Sequence, residues 1–244
     1  MKHSMKTEKV ERVHDKLYLS EDRKDKPKEY FKFIISKVNK YLRDYDQLNI
    51  LDIGCATGDF LYYLRSCYPN AKLTGIDVID DLLEHAKANV PNCNFIKGDI
   101  CKKTTLPKNT YDAVFINGVH SIFDDIEDWI GNALNLVSRN GKLFVFGIFN
   151  KEDVDVLVKV KYSHQTTDEP WQSGWNCFSV KSFEHCLETK GINSFRFHEF
   201  VLPIDIPKQE DPLRSWTFQY SDQTRGTING SMILHNFMLL EISI

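Results

Sequence analysis

Asn49-Ile50-Leu51-Asp52-Ile53-Gly54-Cys55-Ala56-Thr57-Gly58, continued by Phe60, Leu61 and Leu64 and answered later by Leu73-Thr74-Gly75-Ile76-Asp77, decides the fold. The first three residues read as a short buried strand, the small residues at 54, 56 and 58 let the backbone turn tightly, and Phe60, Leu61 and Leu64 open a helix that packs back on the sheet. A flat polar ligand can then lie against bare backbone. Asp77, about twenty residues further on at the end of a second strand, is placed to accept hydrogen bonds from a ribose diol. The pattern implies a nucleoside-binding crevice at the carboxyl edge of a sheet.

A nicotinamide dinucleotide needs G-x-G-x-x-G, so that its pyrophosphate meets helix N–H groups without competing negative charge. Here the second glycine position is Ala56, the third is Asp59, and Asp52 lies two residues before Gly54. Carboxylates there repel phosphate and suit a cation. The stretch Asp52 to Gly58 resembles motif I of the class I S-adenosylmethionine-dependent methyltransferases, whose ligand carries an ammonium and a sulfonium and no phosphate. Asp77, Gly98-Asp99-Ile100, Tyr111 to Asn117, and Arg139-Asn140-Gly141 running into Lys142 to Phe146 fall where that family places its later strand ends, over roughly residues 48 to 150. Ala56 and the Asn140-Gly141 turn depart mildly from its usual pattern.

The resemblance implies a Rossmann-like α/β fold: a seven-stranded, mostly parallel sheet with helices on both faces, an antiparallel last strand and an added hairpin. It implies S-adenosyl-L-methionine as cofactor and S-adenosyl-L-homocysteine as product. It assigns Asp52 and Gly54 to the methionine end, Asp77 to the ribose and Asp99 to the adenine amino group, with Cys55, Gly58, Val78, Ile100 and Asn117 completing the site. Tyr18 would cover the methionine moiety if the N-terminal segment folds over. Residue by residue, a turn glycine or a helix-capping aspartate accounts for each position; the ordered set is what points to the cofactor.

The 244 residues, 42% hydrophobic and 12% aromatic, suffice for one substantial core. Net charge is −3, and no basic block exceeds short groups such as Lys102-Lys103, which argues against nucleic acid as partner. No apolar run approaches the roughly 18 residues of a membrane span, and Met1 to Glu8 is charged without an apolar stretch, so a soluble, cytoplasmic protein is expected. The six cysteines form no C-x-x-C and have no zinc-type histidine spacing, so no metal site is expected.

The chain reads as one domain over 1–244: an N-terminal lid and helix over 1–45, the cofactor-binding core over 46–150, and acceptor-pocket loop, helix and last strands over 151–244. Tyr30, Phe31, Ile34, Ile35, Val38, Tyr41 and Leu42 recur at helical spacing after Pro27. Helices are predicted near 58–67, 80–88, 124–137 and 180–190, the last opened by Ser179 or Ser182. Strands are predicted near 48–53, 72–77, 94–98, 111–117, 142–148, 195–206 and 233–243, with a hairpin over 216–229. The long connection 151–177 is a candidate binding loop.

Methyl transfer to a hydroxyl needs a base with a pKa near neutrality. His120, in the loop after the fourth strand, is the candidate; it can equally cap the following helix or touch the adenosine. Trp171, Trp175 and Asn176 are candidates to shape the acceptor pocket, since indole faces stack on sugars while the N–H groups donate; either Trp can also plug the loop. Asn150 could hydrogen-bond an acceptor or simply end its strand. The leading expectation is O-methylation of a small polar acceptor, with a sugar or nucleotide-linked sugar preferred. The alternatives are N-methylation of another small metabolite and a non-catalytic S-adenosylmethionine-binding module. Oligomeric state cannot be read from these residues.

Overall fold

The computed structural model describes residues 13–21, 23–43 and 47–244. A 3-10 helix over Val13–Ser20 leads into α1 (Glu29–Arg43). Then β1 (Asn49–Ile53), α2 (Asp59–Cys67), β2 (Lys72–Asp77), α3 (Asp80–Asn89), β3 (Asn94–Lys97), β4 (Tyr111–Asn117), α4 (Glu127–Asn135) and β5 (Val137–Asn150) follow in alternation. Two-residue strands β6 (Lys159–Val160), β7 (Gln172–Ser173) and β8 (Phe178–Ser179) precede α5 (Val180–Thr189), and β9 (Phe195–Phe200), β10 (Trp216–Gln219), β11 (Arg225–Ile228) and β12 (Phe237–Ser243) complete the chain. The main sheet runs β3-β2-β1-β4-β5-β12-β9, with β8 joined to the end of β5. Neighbours from β3 to β5 are parallel; β12 is antiparallel to both β5 and β9.

Strands buried on both faces need apolar residues at successive positions, and β4 supplies them with Ala113, Val114, Phe115 and Ile116. One face is covered by α1, α2 and α3, whose Phe31, Ile34, Val38, Phe60, Leu61, Leu64 and Leu83 form one core. The other is covered by α4 and α5 through Trp129, Ile130, Phe183 and Leu187. The strand order reverses between β1, which leads to β2 on one side, and β4, which continues on the other. Loops leaving the carboxyl ends of those strands therefore diverge and open a crevice.

Four boundaries differ from the sequence reading. β5 begins at Val137 rather than near 142, because the Asn140-Gly141 turn is absorbed as an irregularity: Tyr111 pairs with Val137 but Ala113 with Lys142, and Asn140 takes φ +67°. α4 begins at Glu127 rather than near 124, where Asp125 Oδ1 accepts from the Glu127 N–H at 2.8 Å. The strand expected over 195–206 stops at Phe200, and the last strand starts at Phe237. Ser179 caps α5, its hydroxyl accepting from the Ser182 N–H at 3.0 Å. No helix among the described residues is long and apolar enough to cross a membrane.

Candidate functional site

The loop after β1 is bound back to β2, with Gly54 N–H and Cys55 N–H both donating to Ile76 O at 2.7 and 3.0 Å. Gly54 has φ +73°, and a Cβ there would lie 2.3 Å from Val119 Cγ2. Only glycine lets the loops after β1 and β4 approach this closely. Gly58, at φ +82°, turns the chain into α2 against Val90, where an added Cβ would stand 3.0 Å from Cγ2.

Three carboxylates stand at successive strand ends. Asp52 is 2% exposed and its Oδ1 accepts from Asn117 Nδ2 at 3.3 Å. Burial pushes its carboxyl well above the usual range; the Asn117 hydrogen bond works the other way and the Asp77 charge adds to the rise. Asp77 accepts from Ala56 N–H at 2.9 Å and from Ile79 N–H at 3.0 Å, yet burial outweighs these bonds and raises its pKa as well. Asp99 Oδ1 accepts from Cys101 N–H at 3.0 Å and the side chain is buried. Asn117 Oδ1 is buried without a hydrogen-bond partner, an acceptor that a ligand N–H or O–H would satisfy. Cys55 is buried in the loop, and burial, then the Asp52 and Asp77 charges, push its thiol up, so it serves as packing.

One cleft gathers Asp52, Gly54, Cys55, Asp77, Val78, Asp99, Ile100 and Asn117, with Tyr18 on one wall and Trp175 on another. Val78 is 44% exposed there, an apolar surface suited to a flat ring. The residues fit S-adenosylmethionine: a buried carboxylate for a cation, a backbone-anchored carboxylate for a diol, and an unpartnered amide oxygen.

Several expected site residues lie elsewhere. Gly58 shapes the turn and does not line the cleft. His120 is 0% exposed, its ring stacked on Phe149 at 4.7 Å and edge-on to Phe183, with Nε2 donating to Ile148 O at 3.1 Å. Burial holds its pKa down to about 4 despite that bond. A ring enclosed by aromatics has no path to an acceptor, so His120 is a core residue and not the base. Trp171 is 63% exposed on a different groove, beside Leu213 and Ile233. Asn150 ends β5 in a local turn, Nδ2 donating to Val154 O at 2.8 Å and Oδ1 accepting from Glu152 N–H at 3.1 Å. Asn176 is fully buried. Its Nδ2 donates to Phe123 O at 2.7 Å and Asp124 Oδ1 at 3.0 Å, its Oδ1 accepts from Val158 N–H at 2.7 Å, and its N–H donates to Ser121 O at 2.7 Å. It clamps the loop after β4 to the 156–177 connection and leaves Trp175 beside it facing the cleft.

Sequence reasoning missed Lys28 and Tyr30, which also line the cleft. The Tyr30 ring stacks on Phe146 at 4.7 Å and 6°. Tyr30 shares the Ile34 and Val38 face of α1 by its i, i+4, i+8 spacing and packs against the core, so helical periodicity alone marks it as a core residue and gives no sign of the cleft.

Residues 50–141 match a family described as a methyltransferase domain. Malonyl-[acyl-carrier protein] O-methyltransferase 2 of Ilyobacter polytropus is 27% identical over 63% of this chain and 59% of its own length. Trans-aconitate 2-methyltransferase of an Enterobacter species is 30% identical over 41% of this chain and 39% of its own. The chain thus spans less than two thirds of these curated relatives. Among solved structures, a DhpI–SAM–HEP complex superposes with a TM-score of 0.54 at 14% identity, covering 97% of this chain and 99% of that one. The YcgJ protein of Bacillus "subitilis" gives 0.54 at 12% identity over 85% and 97%. Residues 50–141 are thus similar to the methyltransferase-domain family, and the chain shares the Rossmann-like fold of these solved structures.

Proposed function

We propose that this chain binds S-adenosylmethionine in the cleft and transfers its methyl group to an oxygen of a small polar acceptor. The observation that carries the reading is the convergence of Asp52, Asp77 and Asp99 on one cleft with the unpartnered Asn117 Oδ1. When bound, S-adenosylmethionine supplies a methyl on a sulfonium that departs as the neutral thioether of S-adenosylhomocysteine. Asp52 and Asp77 favour that cationic ligand over a pyrophosphate. Asp77, held by two backbone N–H groups, offers its remaining lone pairs to the ribose diol, and Asp99 does so for the adenine amino group. Trp175, Ile122 and Phe123 form an apolar wall that keeps water from the transfer site. Positioning then carries the catalysis.

A carboxylate acceptor is the first reading, resting on the relatives' names and on chemistry that needs no base, while among the described residues no histidine lines the cleft. A carboxylate oxygen is nucleophilic without loss of a proton, whereas a hydroxyl needs a base. The two curated relatives are named for acceptors that carry carboxylates, malonyl and aconitate. A sugar or nucleotide-linked sugar is the second reading, favoured by the half-buried Trp175 indole, a surface for a sugar face. All six cysteines are free thiols, which suits a cytoplasmic place of action.

The test is calorimetric titration of the protein and of Asp77→Ala with S-adenosylmethionine, S-adenosylhomocysteine and NAD, then mass-spectrometric scoring of methyl transfer to di- and tricarboxylates and to nucleotide sugars. Binding of both sulfur compounds at micromolar strength, about −8 kcal/mol, lost in the variant, is the expected result. Binding of NAD alone overturns the reading. Cofactor binding without a methylated product from any acceptor favours the non-catalytic module.

A further inference from the structure

Glu21 follows the Val13–Ser20 helix, whose Asp15 and Tyr18 line the cleft. Its carboxylate is 9% exposed and meets three cations. Oε1 accepts from the Arg214 guanidinium, and Oε2 lies 3.2 Å from both Arg23 Nε and Lys28 Nζ. Lys28 Nζ in turn sits 5.3 Å from the centre of the Tyr18 ring and itself lines the cleft. Burial alone would raise the Glu21 carboxyl; the Lys28 charge and the Arg214 and Arg23 hydrogen bonds outweigh it and hold the pKa down to about 2. Glu21 is therefore a permanent anion that offsets Lys28, a cation otherwise set beside a cationic ligand.

Arg214 arrives from far along the chain, in the segment between β9 and β10. That segment is well anchored. Asp211 Oδ1 accepts from Leu213 N–H at 3.0 Å and from the Tyr162 hydroxyl at 2.9 Å, and Asn229 Nδ2 donates to Leu213 O at 3.2 Å. Leu213 is buried. The fixed end of the ion pair is thus the C-terminal addition, and the end it holds is the short N-terminal wall.

We propose that Arg214 is a positioning residue: through Glu21 it fixes the Tyr18 and Lys28 wall over the cleft and so sets how long the cofactor stays bound. The inference rests on the cleft being the S-adenosylmethionine site. It makes the added segment between β9 and β10, rather than the nucleotide-binding core, the control on cofactor release. Arg214 touches no ligand; it acts on the wall that does.

The test is stopped-flow chase of S-adenosylhomocysteine from the full chain and from Arg214→Ala, Arg214→Lys, Glu21→Gln and the Glu21→Gln/Arg214→Ala double variant. Release from Arg214→Ala is expected to be about ten-fold faster, since affinity differences between related complexes lie mostly in the off-rate. Arg214→Lys restores most of the slow release, the double variant releases no faster than Glu21→Gln, because one coupled pair is removed in both, and the thermal midpoint of Arg214→Ala stays near wild type. Unchanged release in Arg214→Ala, failure of Arg214→Lys to restore it, or a faster release matched by a large fall in thermal midpoint overturns the proposal. No binding of S-adenosylhomocysteine by the wild-type chain overturns the cofactor reading itself, a result distinct from wild-type binding with unaltered release in the variant.

Discussion

Asn117 Nδ2 donates to Asp52 Oδ1 across 3.3 Å, joining the carboxyl ends of β4 and β1 where the strand order reverses. The bond fixes which way the amide faces. With its nitrogen committed to the carboxylate, Asn117 keeps its oxygen as a buried acceptor turned from Asp52, and the two residues present a carboxylate and a carbonyl to the same ligand.

Binding of S-adenosylmethionine should expel a proton at acidic pH. Burial raises the carboxyl pKa of both Asp52 and Asp77, and a cationic ligand selects the ionised forms. Affinity is therefore expected to weaken as the pH falls through the raised values of these two carboxyls. For the empty protein the sign is opposite: raised folded-state pKa values mean that the native state holds more protons, so these two groups lower stability as pH rises above the ordinary carboxylate range. Calorimetry in two buffers of different ionisation enthalpy measures the proton; absence of any release across this range would remove these carboxylates from ligand contact.

Gly54→Ala should abolish cofactor binding and lower stability. The new Cβ meets Val119 Cγ2 at 2.3 Å, and φ +73° adds backbone strain of about 1–2 kcal/mol. Adding Val119→Ala relieves the clash and leaves the strain. Denaturation midpoints of the single and double variants should therefore show partial rescue.

Acid should destabilise the chain through two buried histidines. Burial holds both His120 and His235 down to about 4 from 6.5, and the backbone bond to Ile148 resists this only in part for His120. The unfolded chain binds these protons first. The stability they contribute is complete above 6.5 and is lost as pH falls towards 4, on the order of 3 kcal/mol each. His120→Phe preserves the stacking, leaves Ile148 O without its donor at a cost of about 1–3 kcal/mol, and flattens the urea-measured stability slope in that window. The pH profile of methyl transfer should not change in that variant, which separates a core residue from a base.

Asn176→Ala should cost about 3 kcal/mol, because it strips buried Phe123 O and Val158 N–H of their partner. Equilibrium unfolding checks the value. In protein that remains folded, KM for the acceptor should rise with little change in cofactor affinity, since the clamp holds Trp175 and the loop after β4 rather than the β1 and β2 loops.

The gathering of the strand-end residues on one cleft was legible because its signal is local. Asp52, Gly54, Asp77 and Asp99 each sit at a strand end, and alternation of strand and helix places such ends along one edge. The placement of the loop residues was not. Whether a loop side chain faces a cleft or a neighbouring loop depends on partners distant in sequence: Asn176 is spent on Phe123, 53 residues away, and Glu21 on Arg214, 193 away. His120 followed the right strand, but the register of β5 brought Phe149 and Ile148 O to it and enclosed the ring. Tyr18 and Trp175 were placed at the cleft, whereas Trp171, of the same residue type and loop, points to another groove.

β12 lies between β5 and β9 and pairs with both along its length. During synthesis, β5 must therefore wait with one edge open while almost a hundred later residues are made, and β9 has no strand partner in the main sheet until the same moment. A nascent chain halted before Phe237 would expose the unpaired backbone edge of β5 along Leu143 to Ile148, a template for pairing with other chains. Completion of the sheet is thus a late event of high contact order, and the β5 edge is the part of the main sheet most open to mispairing until β12 is in place.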